Sequence, residues 1–249
     1  MRTLRVLRAF SAPPHRLGLA EVVEKLGIER NQAYRSLKTL EAGGFLSPTV
    51  DARFELGPAA SELATGATLF ASGSLVEVAA PLLDRLSEQT GETVHLFMRV
   101  GDRAVCVDKR ESRQSVRLVS VLGRSLPLHA GAVPKAILAA LPAEERADVL
   151  DRLDQLPLYT ERTVLDRALL ELELDEIASR GYSVSNEDFD ASARGAGAAI
   201  VTADGTVFGG LSVGGPSFRV TDELIARFAE LVRVAAQEVS RRLILKGHD

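Results

Sequence analysis

The chain has 249 residues, 46% hydrophobic and 26% charged, a globular balance that excludes disorder as the dominant state. Its length suits two domains of ~100–200 residues. A single cysteine, Cys106, excludes a disulfide framework and a cysteine-rich zinc site, and no apolar run approaches the ~18 residues of a membrane span. The start MRTLRVLRAFSAPP lacks the apolar core of a secretory signal, so the chain reads as cytoplasmic. Net charge is −4, but residues 1–60 carry nine Lys/Arg against six Asp/Glu, while the remainder carries 21 against 28. Such a split suggests a basic interaction module on an acidic body, although chance scatter would also produce it.

Leu4, Leu7 and Phe10 recur at helical spacing, and Pro13-Pro14 ends that segment. Leu19, Val22, Val23 and Leu26 predict a second helix stopped by Gly27. A third is predicted from Arg30 to Ala42, ending at Gly43-Gly44. Phe45-Leu46 and Phe54-Glu55-Leu56 flank a Pro- and Asp-containing turn and predict a short hairpin. Gly57-Pro58 is a breaker, and a domain edge is expected there.

Residues 59–90 are expected to be helical, with Leu82, Leu83 and Leu86 as the firm part. Thr93–Arg99 and Ala104–Lys109 alternate around Gly101-Asp102 as a hairpin should, and Val116–Leu122 is a third candidate strand. Val133–Leu141, Ala143–Leu156 and Asp166–Arg180 predict helices, the last with Leu169, Leu170, Leu174 and Ile177 on one side. Tyr182–Ser185, Ala198–Thr202 and Val207–Val213 predict strands, and Thr221 caps a long final helix. The mixed order indicates an α+β fold.

Three short helices followed by a hairpin make a winged helix-turn-helix pattern. On the third helix Ala33, Leu37 and Leu40 share one face, and Asn31, Arg35 and Lys38 share the opposite one. A packed back with a cationic front suits the major groove, where Arg grips guanine and Asn grips adenine. Arg30, Gln32 and Tyr34 flank this face as candidate phosphate contacts, and Arg53 sits where a wing would meet DNA. A merely solvated face would carry the same residue types.

LRVLRAF, LAEVVEKLGI, AYRSLKTLEAGGFL and FELGPAA resemble, in order and spacing, the DNA-binding half of the IclR family of bacterial transcriptional regulators. TGETVHLF, LPLHAGAVPKAILAAL, RGYSVSNEDFD and GGLSVGGP resemble that family's effector-binding half. The resemblance implies a winged helix-turn-helix at 1–57, a linker helix at 58–74 and a GAF-like α/β domain at 75–249 for effector binding and oligomerisation. It further implies a DNA-binding regulator, not an enzyme, acting as a dimer or tetramer on a pseudo-palindromic operator of double-stranded DNA. A small organic effector, a carboxylate or an aromatic compound, would control it. Small residues in Ala59–Ser74 would let helices of dimer partners approach closely, or make a loose connection.

The expected effector site comprises His129, Ala130, Gly131, Ala132 and Val133, then Asp188 and Gly195, and finally Ser212 and Gly214. The helix after Ala132 would offer backbone N–H groups to a carboxylate, and His129 a charge-dependent contact near neutral pH. Each has a plainer role open to it: a satisfied loop histidine, a turn-capping aspartate, a structural serine. The sequence departs from the family where Pro134 replaces a glycine, costing a donor, and where Gly214 replaces a hydroxyl-bearing residue. Gly195 and Gly197 are expected to open volume, which points to a larger, more apolar ligand than a two- or three-carbon acid, or to a pocket that no longer binds tightly.

Other function classes have little support. Cys106 lies in the alternating strand AVCVD, where a thiol is ordinarily inert, and the histidines lack metal-ligand spacing. There is no dinucleotide or P-loop motif, so no cofactor or metal is expected. Two alternatives stay open: a ligand-independent regulator whose second domain serves only assembly, and a winged-helix protein-interaction module.

Overall fold

The computed structural model describes residues 2–10, 15–71 and 73–246, with side chains described except at 2, 65–71 and 244–246. Pro13-Pro14, His248 and the side chains of half the small residues of the expected linker lie outside that description. The chain divides into two compact units, Met1–Ala67 and Thr68–Asp249.

The first unit contains α1 (Arg2–Ala9), α2 (Leu19–Leu26), α3 (Arg30–Ala42), β1 (Leu46–Pro48) and β2 (Phe54–Leu56). Gly27 ends α2 in the left-handed region, and its N–H reaches the Val23 carbonyl at 2.9 Å. β1 and β2 pair antiparallel, and Leu17 bridges to Phe54. The core joins Val6, Ala9 and Phe10 of the first segment to Val22, Ala33, Leu37, Leu40 and Leu46. The expected α1 stripe is thereby corrected: Val6 packs inward and Leu4 is exposed, because packing against α2 and α3 rotates the helix away from its Leu4 edge.

α4 (Pro58–Ala71) carries the chain across the border between the units. The second unit contains α5 (Gly73–Thr90), β3 (Thr93–Val100), β4 (Arg103–Arg110), β5 (Ser125–Pro127), α6 (Ala132–Ala140), α7 (Ala143–Leu150) and a single 3-10 turn at Leu153–Gln155. There follow α8 (Arg167–Arg180), β6 (Ser183–Asn186), β7 (Ala193–Val201), β8 (Val207–Pro216) and α9 (Asp222–Lys246). The strands form one antiparallel sheet in the order β5-β4-β3-β8-β7-β6. Among the described residues no helix is long and apolar enough to cross a membrane.

Strand alternation sends two sets of side chains to two helical layers. Val94, Leu96, Ala196, Ala198, Leu211 and Val213 pack with α5 and α9. Phe97, Ala104 and Cys106 pack with α6 and α8 on the other face. Two expectations fail here. Val116–Leu122 is not a strand: β4 is already paired at Cys106 by the 123–124 turn, so the segment leaves the sheet and exposes Val119 and Val121. On α8, Leu169 is 60% exposed, since only the narrow stripe Leu170, Leu174 and Ile177 faces the core.

Candidate functional site

In the first unit, α3 turns Ala33, Ser36, Leu37 and Leu40 inward and leaves Asn31, Tyr34, Arg35 and Lys38 exposed along one strip. Arg30 and Gln32 lie on its two flanks, Arg30 exposed and Gln32 donating to Glu29 at 3.2 Å. Among the described residues no carboxylate pairs with Arg30 or Arg35, so both guanidiniums are available to an anion. Lys38 Nζ is engaged with Glu41 at 2.6 Å, and that carboxylate raises the ammonium's pKa. Arg53 stands in β1–β2 with Glu21 at 3.1 Å and Asp51 at 3.6 Å, which holds it against its own unit.

In the second unit, one cavity of about 140 Å³ lies between the sheet, the start of α6 and the 111–124 connection. The register builds its floor. His95 of β3 stands opposite Ser212 of β8, which stands opposite Gly197 of β7; one step along, Thr93, Gly214 and Gly195 align likewise. Leu118, Val119, Ser120 and Arg124 cover it, and Phe97, Phe189 and Arg194 complete the wall.

The covering segment is tied down through its carbonyls. Thr93 Oγ1 donates to Leu118 at 3.2 Å, Lys109 Nζ to Ser120 at 2.6 Å and Arg219 Nη2 to Val116 at 3.0 Å.

Backbone conformation explains one glycine and close approach another. Gly131 opens α6 at φ 89 and ψ 161, a region essentially reserved for glycine. A Cβ on Gly197 would lie 2.8 Å from the Ala132 carbonyl carbon and the Val133 nitrogen, so the bare strand lets α6 seat on the sheet. This corrects the expected gain of volume. The space beside Gly197 is filled by α6, a Cβ on Gly195 would meet the Val213 carbonyl at 2.8 Å, and Leu118 Cδ1 lies 3.2 Å from a Cβ on Gly214. Pro134, at the third helical position, lacks an N–H that the first turn would leave unpaired anyway; Ala132 and Val133 keep theirs without an intrahelical acceptor.

Of the expected site residues, Gly131, Ala132, Val133, Gly195, Ser212 and Gly214 line the cavity; His129, Ala130 and Asp188 stand behind it. His129 is buried and donates through Nε2 to the Pro157 carbonyl at 3.0 Å, and burial lowers its pKa. Burial thus favours the neutral imidazole, and the ring is turned to Pro157 and not into the cavity; it stacks on Tyr159, which packs on Phe189. Asp188 accepts from Gly131 N–H at 3.2 Å and from Ser185 Oγ, and pairs with Lys135 Nζ at 2.7 Å. Lys135, 4% exposed, also holds Glu173 at 2.6 Å. This buried cluster fixes the loop from which α6 starts.

Residues that periodicity did not single out carry the cavity's polarity. Among the described residues, four buried side-chain atoms have no hydrogen-bond partner: His95 Nε2, Ser120 Oγ and Arg194 Nε, whose residues line the cavity, and His129 Nδ1 behind it. Buried polar groups are ordinarily satisfied, so unpaired ones around one cavity point to a ligand that completes them. Burial and the positive charges of Lys109 and Arg124 push the His95 pKa down to about 4, leaving a neutral imidazole. Arg124 lies 5.0 Å from the centroid of the Phe189 ring, and Arg194 is held by the Val220 carbonyl and Asp222. Burial pushes the Cys106 thiol up to about 11, which disfavours the nucleophilic thiolate at neutral pH.

The family profile described as bacterial transcriptional regulator IclR C-terminal matches residues 68–241, and that of the IclR helix-turn-helix domain matches residues 1–49. The chain belongs to the IclR family. It is 30% identical over 243 residues to the HTH-type transcriptional regulator KipR of Bacillus subtilis (strain 168), covering 98% of this chain and 96% of that protein. It is 30% identical over 246 residues to the HTH-type transcriptional repressor AllR of Klebsiella pneumoniae, covering 98% and 89%. The crystal structure of the Thermotoga maritima IclR superposes with a TM-score of 0.66 at 30% identity, covering 97% of both chains. This IclR-family chain is accordingly a helix-turn-helix transcriptional regulator with a GAF-like second domain, and not an enzyme.

Proposed function

We propose that this protein binds a pseudo-palindromic operator as a dimer or tetramer, reading base edges with Asn31 and Arg35 and gripping phosphate with Arg30, Gln32 and Lys38. The observation that carries this is the exposed strip of α3, whose Asn31 and Arg35 side chains are not used by the unit's own core. Dimerisation follows from need, since one reading helix spans only a half-site. The assignment of 1–57 to DNA binding, 58–74 to a linker and 75–249 to effector binding and assembly belongs to the same reading, as does a cytoplasmic location.

The cavity supports a small organic effector. Its 140 Å³ is close to the ~150 Å³ that admits benzene in an engineered cavity, hence a ligand of about one six-membered ring, above two- or three-carbon acids. Phe97 and Phe189 suit an aromatic or apolar body; Arg124, Arg194 and the start of α6 suit a carboxylate. Effector binding would shift the population between two arrangements of the reading helices, which requires different affinity for the two.

The test is a gel shift on DNA flanking the protein's own gene, followed by selection from genomic fragments, at two salt concentrations. A competitor-resistant shift that weakens with salt is expected. No selected fragment at either salt would overturn the reading. For the effector, thermal shift against a panel of mono-ring acids should raise Tm, because a ligand that binds only the native state must stabilise it. Binding confined to glyoxylate- or pyruvate-sized acids would refute the size assignment.

A further inference from the structure

The exposed strip of α3 contains one residue whose chemistry differs from the rest. Asn31, Tyr34, Arg35 and Lys38 span an arc of about 100° at 3.6 residues per turn. Three are polar or charged, as a solvated face requires. The fourth is an aromatic ring, 52% exposed, that does not join the unit's core. Tyr34 stands one turn after Asn31 and one turn before Lys38, at the edge of the strip that adjoins Arg30. The cation beside it is directed away: Lys38 Nζ donates to Glu41, a further turn along the helix. One edge of the reading surface is thus an apolar face with a hydroxyl at its tip.

In the major groove one base pair offers a matching surface. Thymine alone among the four bases presents a methyl group, beside the O4 acceptor. A phenol ring can cover the methyl while its O–H donates to O4. A phosphate oxygen could also accept from that O–H, but such a contact is indifferent to the base.

We propose that Tyr34 is a specificity-determining residue that reads a thymine methyl in each half-site, beside the base edges taken by Asn31 and Arg35. The inference rests on the proposed reading of α3 as the recognition helix.

The experiment uses the full-length protein and a site selected from random-sequence duplex DNA. Each thymine of that site is replaced singly by deoxyuridine, which removes the methyl and keeps the pairing. Affinities are measured for wild type, Tyr34→Phe and Tyr34→Ala, with thermal melts to establish that both variants fold. At one thymine per half-site, wild type and Tyr34→Phe should lose about fourfold on deoxyuridine, the worth of one buried methyl. Tyr34→Ala should bind thymine and deoxyuridine there equally. Two results would overturn the proposal while leaving DNA reading by α3 intact: no thymine sensitive in wild type, or the same sensitivity in Tyr34→Ala. Failure to select any site would overturn both.

Discussion

The reading strip and the cavity are assembled by opposite means. The strip takes Asn31, Tyr34, Arg35 and Lys38 from one helix and keeps them in water. The cavity takes His95 from β3, Ser120 and Arg124 from the β4–β5 connection, the start of α6, Arg194 from β7 and Ser212 from β8. His95, Ser120 and Ser212 there are withdrawn from water, as are Lys135 and Asp188 behind it, while Arg124 stays exposed. An exposed ion pair contributes about 0–1 kcal/mol, whereas breaking a buried one leaves an uncompensated charge. Changes in the strip should therefore act on DNA affinity and spare stability, while changes around the cavity should act on stability first.

The largest effect is expected at Lys135. Lys135→Met leaves Asp188 and Glu173 without their cation and should destabilise by about 3–5 kcal/mol in urea unfolding. Adding Asp188→Asn should recover part of the loss. A cost below 1 kcal/mol for the single variant would break the contrast.

Acid should act next, through His95. Its folded pKa of about 4 lies below the 6.5 of the unfolded chain, so below pH 6.5 the unfolded state takes up the proton first. Its contribution is complete above pH 6.5 and is lost progressively until pH reaches about 4, a total of about 3 kcal/mol. His129, also lowered by burial, adds with the same sign. Denaturant titrations between pH 7 and 5 should show a steeper decline for wild type than for His95→Asn; parallel curves would refute the assignment.

On the strip, Arg35→Ala should weaken operator binding by about 1–3 kcal/mol and relax preference at one base pair, with Tm unchanged. A fall in Tm with unaltered preference would mean that Arg35 is structural. Lys38→Ala should do least. Glu41 already shares its charge, so affinity should fall slightly and equally on all sequences, and the salt slope by less than one. A sequence-dependent loss would make Lys38 a base reader.

Legibility in the sequence follows the same division. The faces of α3 were readable because residues three and four apart meet on a helix whatever surrounds it, and the buried Ala33, Leu37 and Leu40 lie where periodicity put them. Val116–Leu122 is a candidate strand by sequence, but a strand needs a partner edge, and β4 is already occupied. The resemblance drew attention to the loop opening α6 and to Ser212, yet it also offered His129, whose ring turns to Pro157 behind the wall. His95 stood in the quoted motif TGETVHLF without a role, because nothing local distinguishes an unpaired buried histidine from a paired one.

Taken by itself, the amino-acid sequence determined the element order outside residues 116–127, the winged helix-turn-helix, the polarity of α3 and the family, since these rest on local periodicity and collinear motifs. Only the tertiary structure decided which side chains meet in the cavity, that Gly197 admits a helix and not a ligand, and that Lys135 stands between two carboxylates. Strand register and burial decide those matters, and both depend on residues as far apart in the chain as His95 and Ser212.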